Sequence, residues 1–369
     1  MGSGAVGRQM DIEPSTRGAV SQLRPDAAGG ASPGQGGTAD RPGGPVRAWL
    51  ADGRHRVLVG WVVLGVAFVV SCAVSGIPFS EDTVLVWLAA ALFVASLGDL
   101  RRWRRGVVRD WLPLYALLIL YDLLRGYASH VLWGPFIRPQ VAFDRFIGMG
   151  EVPTARLQRW LFSMHYLHVW DYASSAVYMS HFFVSYIVAA VLWKRNYPRF
   201  KRFIALYVGM TFAGYVGFVL YPAMPPWLAG ETGYITRVTR IVPVVWDHAG
   251  VHQAAALFVR GSHFGNDIAA MPSLHAACPM FLLLFFWATS RPAVRVLLVG
   301  YVLAMAFSLV YLGEHFVIDE LAGWCTAAAV YFAGSRLLDR LHDRKLRRSA
   351  VAAPLDVGAG NRAAVTPPG

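Results

Sequence analysis

Eight apolar runs, each close to the length needed to cross a bilayer, constrain this chain more than any other feature. A helix of about 17 to 25 residues spans the hydrocarbon core and satisfies its own backbone hydrogen bonds there. The composition agrees, since 56% of the residues are hydrophobic and only 15% are charged, unlike an average soluble domain. We therefore predict an all-α, polytopic membrane helical bundle. About eight transmembrane spans are expected, at residues 57–78, 83–99, 111–124, 172–193, 203–221, 272–290, 294–312 and 316–337.

Basic residues between these runs predict the orientation of the chain. The formal net charge is +12, and the arginine and lysine clusters follow the second, fourth, sixth and eighth runs. Such clusters mark cytoplasmic loops, so a multi-pass protein of the cell membrane with both termini in the cytoplasm is expected. Because topology accounts for the charge, a nucleic-acid partner is not expected.

The segments that flank the apolar region have a different composition. Residues 1–45 are rich in Gly, Pro, Ala and Ser without a hydrophobic period, which predicts a disordered cytoplasmic tail. Residues 46–345 are predicted to form the integral membrane catalytic domain. Residues 346–369 are predicted to form a second disordered cytoplasmic tail.

Two long loops, at about residues 125–171 and 222–271, lie on the predicted exterior side, and loops of this length are commonly functional. Residues 156–172 interleave basic and aromatic side chains, which predicts a helix lying in the membrane interface or an ordinary aromatic belt. His248 and His252 have the spacing of zinc ligands, but no Glu lies between them as in metalloproteases. Neither a metal nor another cofactor is expected.

The sixth run begins with residues that suit anion binding. Pro272 is favourable in a first helical turn, which would leave the amides near Ser273 and Leu274 free to bind a phosphate. His275 could then give a proton to a leaving oxygen. Taken alone, a capping serine beside a chance histidine is the simpler explanation of this stretch.

A second polar group joins the seventh and eighth runs. His315 and Asp319 are four residues apart, so they share one face of a helix. The carboxylate could hold one imidazole nitrogen and leave the other as base or nucleophile, although a structural His–Asp pair is the alternative. His181, within the fourth run, is expected to line the same cavity or to be a core histidine satisfied by a hydroxyl.

These two groups resemble motifs of the type-2 phosphatidic acid phosphatase superfamily of membrane lipid phosphatases and phosphotransferases. The sequence PSLH at 272–275 is similar to the motif Pro-Ser-Gly-His, and residues 308–319 are similar to Ser-Arg-x5-His-x3-Asp. The resemblance implies a six-helix core over about residues 170–337. By the same resemblance, His315 attacks phosphorus to form a phosphohistidine, and Asp319 orients the ring of His315. His275 protonates the leaving alkoxide, and Ser273 contacts the phosphoryl oxygens.

The chain departs from the phosphatase motifs at two positions. Leu274 occupies the position of the glycine, which indicates a modified phosphate cradle, and Leu309 occupies the position of the arginine. In addition, the first motif of the superfamily, Lys-x6-Arg-Pro, is absent from its expected place. The sequence EHFVID resembles the inositol phosphorylceramide synthase and sphingomyelin synthase branch, whose members transfer a phosphorylated head group between lipids. A transferred phosphoryl group still requires cations. The candidates are Arg125, which alternatively pairs with Asp122, and then Arg138 and Arg260.

We therefore expect a metal-independent enzyme that transfers or cleaves a lipid phosphoester at the exterior membrane face, with head-group transfer favoured and a lipid or polyol as acceptor. Hydrolysis of a lipid or polyprenyl (pyro)phosphate is one alternative. A transporter or lipid-binding protein without turnover is another, although no interrupted pair of spans indicates inverted repeats. For an enzyme, we expect His275 and His315 to face each other across a cavity that a phosphate could fill, with ring nitrogens about 4 to 7 Å apart.

Overall fold

The structure, a computed structural model, describes residues 52–75, 81–98, 106–127, 134–250, 252 and 266–352. The predicted tail at 1–45 and the candidate Arg260 lie outside the described residues. A five-residue π-helix, Val107–Trp111, leads directly into α3. The helices are α1 Gly53–Ser75, α2 Glu81–Ser96, α3 Leu112–Tyr127, α4 Arg138–Ile147, α5 Pro153–Leu161, α6 Val169–Arg195, α7 Tyr197–Leu220, α8 Pro226–Glu231, α9 Ile241–His248, α10 Leu274–Trp287, α11 Pro292–Tyr311 and α12 Val317–Ala352.

The helices confirm the predicted fold class, an all-α polytopic membrane bundle. Each of the eight apolar runs falls on one of the helices α1, α2, α3, α6, α7, α10, α11 and α12. Four helices among the described residues are long and apolar enough to cross a membrane, namely Gly53–Cys72 within α1, α6, α7 and α11. The shorter helices Val86–Ser96 and Leu274–Trp287 are also apolar. The count of eight spans stays a prediction.

Five long helices from the predicted core, α6, α7, α10, α11 and α12, pack around one another, and α10 contacts the other four. Helix α3, which lies outside residues 170–337, packs on α7. The number of six helices in the core stays a prediction. Aromatic side chains fill the centre, where Phe203 and Phe281 are fully buried with ring centroids 5.2 Å apart. This packing brings the beginnings of α10 and α12 together.

The predicted interfacial helix at 156–172 is wrong in its extent. Helix α5 ends at Leu161, and α6 starts anew at Val169. The break has a local cause, because the buried Asp171 carboxylate accepts the backbone N–H of His168 at 2.6 Å. A helix carried through this point would lose that capping interaction.

Short backbone contacts hold together the loops that the sequence places on the exterior side. Ala223 forms isolated β-bridges with Phe136 and with Ala269. The amide of Ala223 donates to the carbonyl of Ile268 at 2.7 Å. The segment that leads into Pro272 is thereby fixed to the end of α7, so the start of α10 is positioned from both sides.

Candidate active site

His275 and His315 face each other at the exterior ends predicted for α10 and α11. His275 lies in the first turn of α10, and His315 lies in the turn between α11 and α12. Nδ1 of His275 and Nε2 of His315 are 3.3 Å apart, so the expected separation of about 4 to 7 Å is wrong. The shorter distance has a physical reason. A buried polar atom needs a hydrogen-bond partner, and the two ring nitrogens provide this partner for each other.

Asp319 lies on the other side of His315 and is fully buried. Its Oδ2 is 3.7 Å from Nδ1 of His315 and accepts the backbone N–H of Phe316 at 3.0 Å. A proton on Nδ1 of His315 therefore faces a carboxylate, which leaves a lone pair on Nε2. We assign the protons from this network, and Nδ1–H of His275 is then the donor to Nε2 of His315.

Ser273 joins the two motifs through its backbone. Its amide donates to the carbonyl oxygen of Asp319 at 2.9 Å, and its Oγ accepts the N–H of Ala276 at 3.2 Å. The serine is therefore an N-cap of α10, as the simpler explanation of the stretch has it. Contact of its hydroxyl with phosphoryl oxygens stays a prediction.

Leu274 replaces the motif glycine and finds its space on α7. A Cβ added at Gly214 would lie 2.6 Å from Cδ2 of Leu274, so the leucine side chain packs directly over that glycine. Leu274 also joins the apolar core of the bundle. The extra side chain is thus accommodated between helices, and its effect on a phosphate cradle stays a prediction.

His181 and two aromatic rings surround His275. The ring centroids of His181 and His275 are 4.3 Å apart. Tyr178 stacks on His275 at 4.9 Å, and Phe182 meets it edge-on at 5.7 Å. Among the described residues, Nδ1 of His181 has no hydrogen-bond partner. The structure therefore brings His181 to the predicted site, and no hydroxyl satisfies that nitrogen.

Of the three predicted cations, the structure brings Arg125 to the histidines. Arg125, in the last turn of α3, interacts electrostatically with His181 and His275. Asn266 donates to the Arg125 carbonyl oxygen at 3.2 Å, which ties α3 to the segment before α10. Arg138 begins α4 with an exposed side chain. Phosphate binding by either residue stays a prediction.

A second guanidinium near the histidines was missed by the sequence analysis. Nε and Nη2 of Arg240 donate to the two carboxylate oxygens of Glu314 at 2.9 and 3.1 Å. Arg240 also interacts electrostatically with His275. Burial lowers the pKa of Arg240, but the Glu314 carboxylate more than offsets this, so the pKa is raised and the side chain stays charged. No local pattern distinguishes Arg240 from the neighbouring Arg237.

Asp144 on α4 is a further residue that the sequence did not reveal. It is fully buried, and its carboxylate accepts the backbone N–H groups of Val317 at 3.1 Å and Ile318 at 3.4 Å. These are free amides at the start of α12, which an acceptor from elsewhere must satisfy. Burial raises the pKa of Asp144 to about 7.

Leu309, at the position of the motif arginine, is fully buried in an apolar cluster. Its carbonyl oxygen accepts the N–H groups of Glu314 at 3.0 Å and His315 at 3.3 Å. The position therefore still shapes the turn that carries His315, through its backbone, but it supplies no cation.

His248 and His252 have the spacing of zinc ligands, but each ring forms its hydrogen bond with another residue. Nδ1 of His252 lies 2.7 Å from Oδ1 of Asp247, and both side chains are exposed. Within the described ranges, no group of three or more His, Cys, Asp and Glu side chains could hold a metal ion.

The fold and the site can now be compared with known families. The protein is a helical membrane bundle in which two histidines and an aspartate meet at the ends of three helices. A model of the PAP2 superfamily matches residues 141–333, and the chain belongs to that superfamily. The resemblance inferred from the two motifs is thereby confirmed. No solved structure is significantly similar to the chain.

Three relatives are 25% to 28% identical to parts of the chain. The inositol phosphorylceramide synthase catalytic subunit of Saccharomyces cerevisiae is 27% identical over 157 residues, which are 39% of this chain and 36% of the relative. Phosphoinositol dihydroceramide synthase of Bacteroides thetaiotaomicron is 25% identical over 171 residues, which are 43% and 55%. The inositol phosphorylceramide synthase catalytic subunit of Schizosaccharomyces pombe is 28% identical over 180 residues, which are 46% of this chain and 40% of the relative. The matches therefore span 36% to 55% of these relatives' lengths.

Proposed function

We propose that the protein transfers a phosphorylated head group from a membrane lipid to a second lipid or polyol through a phosphohistidine at His315. The observation that carries this proposal is the contact between Nδ1 of His275 and Nε2 of His315, with the Asp319 carboxylate behind the second ring. The relatives are named as synthases of inositol phosphorylceramide and phosphoinositol dihydroceramide, which supports transfer over hydrolysis. Phosphatidylinositol and a ceramide are therefore the first donor and acceptor to test.

In the first half-reaction, the donor phosphate enters between the two rings and replaces their 3.3 Å contact. The lone pair on Nε2 of His315 then attacks the donor phosphorus. The bond between phosphorus and the lipid oxygen breaks, and the departing alkoxide takes the proton from Nδ1 of His275, which enters this step as an imidazolium and leaves it as a neutral ring. The imidazole of His315 becomes cationic as the new bond forms, and the Asp319 carboxylate stabilises that charge. The products are the lipid alcohol, with its acyl chains unchanged, and a phosphohistidine that carries the head group.

In the second half-reaction, the acceptor hydroxyl gives its proton to Nδ1 of His275 and attacks phosphorus. The bond between phosphorus and Nε2 of His315 breaks, which restores both histidines. Water in place of the acceptor would complete a hydrolysis by the same steps. The rings of Tyr178 and Phe182 against His275 favour a lipid acceptor, because they limit the space for water beside the base.

The proposed exterior location rests on the direction of α7. The helix starts beside Arg199, Lys201 and Arg202 and reaches the site at Gly214, where it contacts Leu274. The basic end and the site therefore lie at opposite ends of one apolar helix. With the basic end in the cytoplasm, the histidines lie at the exterior face.

The test is a transfer assay with the full chain in detergent micelles. Phosphatidylinositol labelled in its head group is offered with ceramide, with diacylglycerol or without an acceptor. We expect a labelled lipid product from wild type and from His342→Ala, a control at an exposed histidine of α12, and none from His315→Ala. Labelled inositol phosphate without a lipid product would instead favour a phosphodiesterase-type hydrolysis. If wild type and His315→Ala were equally inert with ceramide, with diacylglycerol and without an acceptor, the proposed head-group transfer from phosphatidylinositol would be overturned.

A further inference from the structure

We propose that Arg240 binds the transferred phosphoryl group and that Glu314 holds its guanidinium until the substrate arrives. The inference rests on the proposed phosphoryl transfer and deepens it. It assigns a cation to the site at which the chain has Leu309 in place of the motif arginine.

The backbone around Arg240 is fixed to the turn that carries His315. Gln158 bridges the two segments, since its Nε2 donates to the carbonyl oxygens of Thr239 at 2.8 Å and Tyr311 at 2.9 Å. Its Oε1 accepts the N–H of Thr239 at 2.8 Å, and the N–H of Ile241 donates to the carbonyl of Leu312 at 3.2 Å. Arg240 is therefore held beside the turn that carries His315, by contacts on both sides of its own position.

The side chain of Arg240 is arranged for an anion. Its guanidinium forms a two-point contact with Glu314, the residue before His315, and lies over the ring of Trp227 at 4.7 Å. A carboxylate and a phosphoryl group offer the same paired oxygens to a guanidinium. A phosphoryl group could therefore replace one or both Glu314 oxygens while the backbone stays in place.

Arg240 and Arg125 differ in how they reach the site. Both interact electrostatically with His275, but Arg125 also interacts with His181 and comes from α3. Arg240 is tied by its neighbours to the loop of the nucleophile. The competing explanation is that Arg240 and Glu314 only fasten the loop before α9 to the turn after α11.

The two explanations predict different anion binding. The full chain in detergent is titrated with orthovanadate and, separately, inorganic phosphate, and binding is followed by the shift in thermal unfolding. Arg240→Gln is expected to weaken both anions by about 10- to 100-fold, the range for a hydrogen bond to a charged group. Glu314→Gln is expected to retain wild-type affinity or to bind more tightly, because it removes the competing carboxylate. The exposed Arg237 supplies the control Arg237→Gln, which should match wild type.

A double variant separates phosphate binding from fastening. Loss of Arg240 alone leaves a buried carboxylate without its cation, which costs stability, and Arg240→Gln with Glu314→Gln removes that cost. We expect the double variant to regain thermal stability but to keep the weak anion affinity of Arg240→Gln. Recovery of affinity together with stability would overturn the proposal, as would unchanged affinity in Arg240→Gln. Anion binding requires no turnover, so it can be measured even if wild type transfers no lipid. Absence of transfer would then count against the proposed function, and the anion affinities would still test the role of Arg240.

Discussion

The amide of Ser273 donates a 2.9 Å hydrogen bond to the carbonyl oxygen of Asp319, which joins the start of α10 to the first turn of α12. Gly323 lies one helical turn further along α12. A Cβ at that position would stand 2.2 Å from the carbonyl oxygen of Ser273. The close approach of the two helices therefore requires a glycine there, and the spacing of the motifs depends on it.

Gly323→Ala is expected to separate the beginnings of α10 and α12. Because the new methyl group meets backbone atoms, we expect a loss of about 1–3 kcal/mol, the usual cost of overpacking, and a large loss of transfer activity. Thermal unfolding and the transfer assay measure the two effects. Gly300→Ala on α11 is the control, since its new methyl group would meet no atom of the described residues within 4 Å beyond its own helix backbone. Equal behaviour of the two variants would contradict the required close approach.

The leaving group determines how much the reaction depends on His275. His275→Ala is expected to slow transfer from a lipid donor by about 10²–10⁴-fold, the usual contribution of general acid–base catalysis. A donor with a nitrophenolate leaving group needs no protonation, so formation of the phosphohistidine from it should be much less affected. His315→Ala should remove activity with both donors. Equal loss with both donors in His275→Ala would argue against its role as the acid.

Asp319→Asn tests the carboxylate beside His315. The amide oxygen can still accept the N–H of Phe316, a bond of 3.0 Å in the structure, so the start of α12 should be kept. Loss of the charge should lower kcat on the order of 10²–10⁴-fold, because the cationic His315 loses its counter-ion. The variant should unfold near the wild-type temperature. Wild-type kcat in a folded variant would show that Asp319 acts only as a helix cap.

Asp144 should make stability depend on pH. Burial raises its pKa from 3.8 to about 7, so the folded state holds a proton that the unfolded state has released. Its contribution to stability is therefore fully present below about pH 4 and is lost as the pH rises to about 7. Asp144→Asn should remove this loss while leaving an amide oxygen to cap α12.

The measurement is the thermal midpoint of the full chain in detergent between pH 4 and 8. The difference between wild type and Asp144→Asn should change between about pH 4 and about pH 7 and level off above about pH 7. The exposed Asp343 on α12 provides Asp343→Asn as the control, which should follow the wild-type profile. Parallel profiles for wild type and Asp144→Asn would mean that Asp144 is not protonated in the folded state.

The sequence predicted the helices and the facing histidines because both depend on local patterns. An apolar run of membrane length forms a helix wherever it lies, and one helical hairpin returns His315 to the end at which His275 begins α10. The helices of the long loops were harder to predict, since the break between α5 and α6 depends on the contact between His168 and Asp171.

Arg240 and Asp144 were missed for a different reason. Arg240 meets Glu314 across 74 positions, and Asp144 meets the amide of Val317 across 173 positions. Contacts of such separation are set by how the loops pack over the bundle, and neither residue differs locally from its charged neighbours. The separation of the ring nitrogens was missed because motif spacing fixes which residues meet but not their distance.

The cap that Asp144 supplies to α12 means that the two motifs are not a portable unit. A graft of residues 272–319 onto another helical bundle would carry both histidines, Ser273 and Asp319, yet it would lack the acceptor for the amides of Val317 and Ile318. The superfamily match itself begins at residue 141, within α4. Any shortened version of the protein must therefore keep α4, although that helix carries neither of the two histidines nor Asp319.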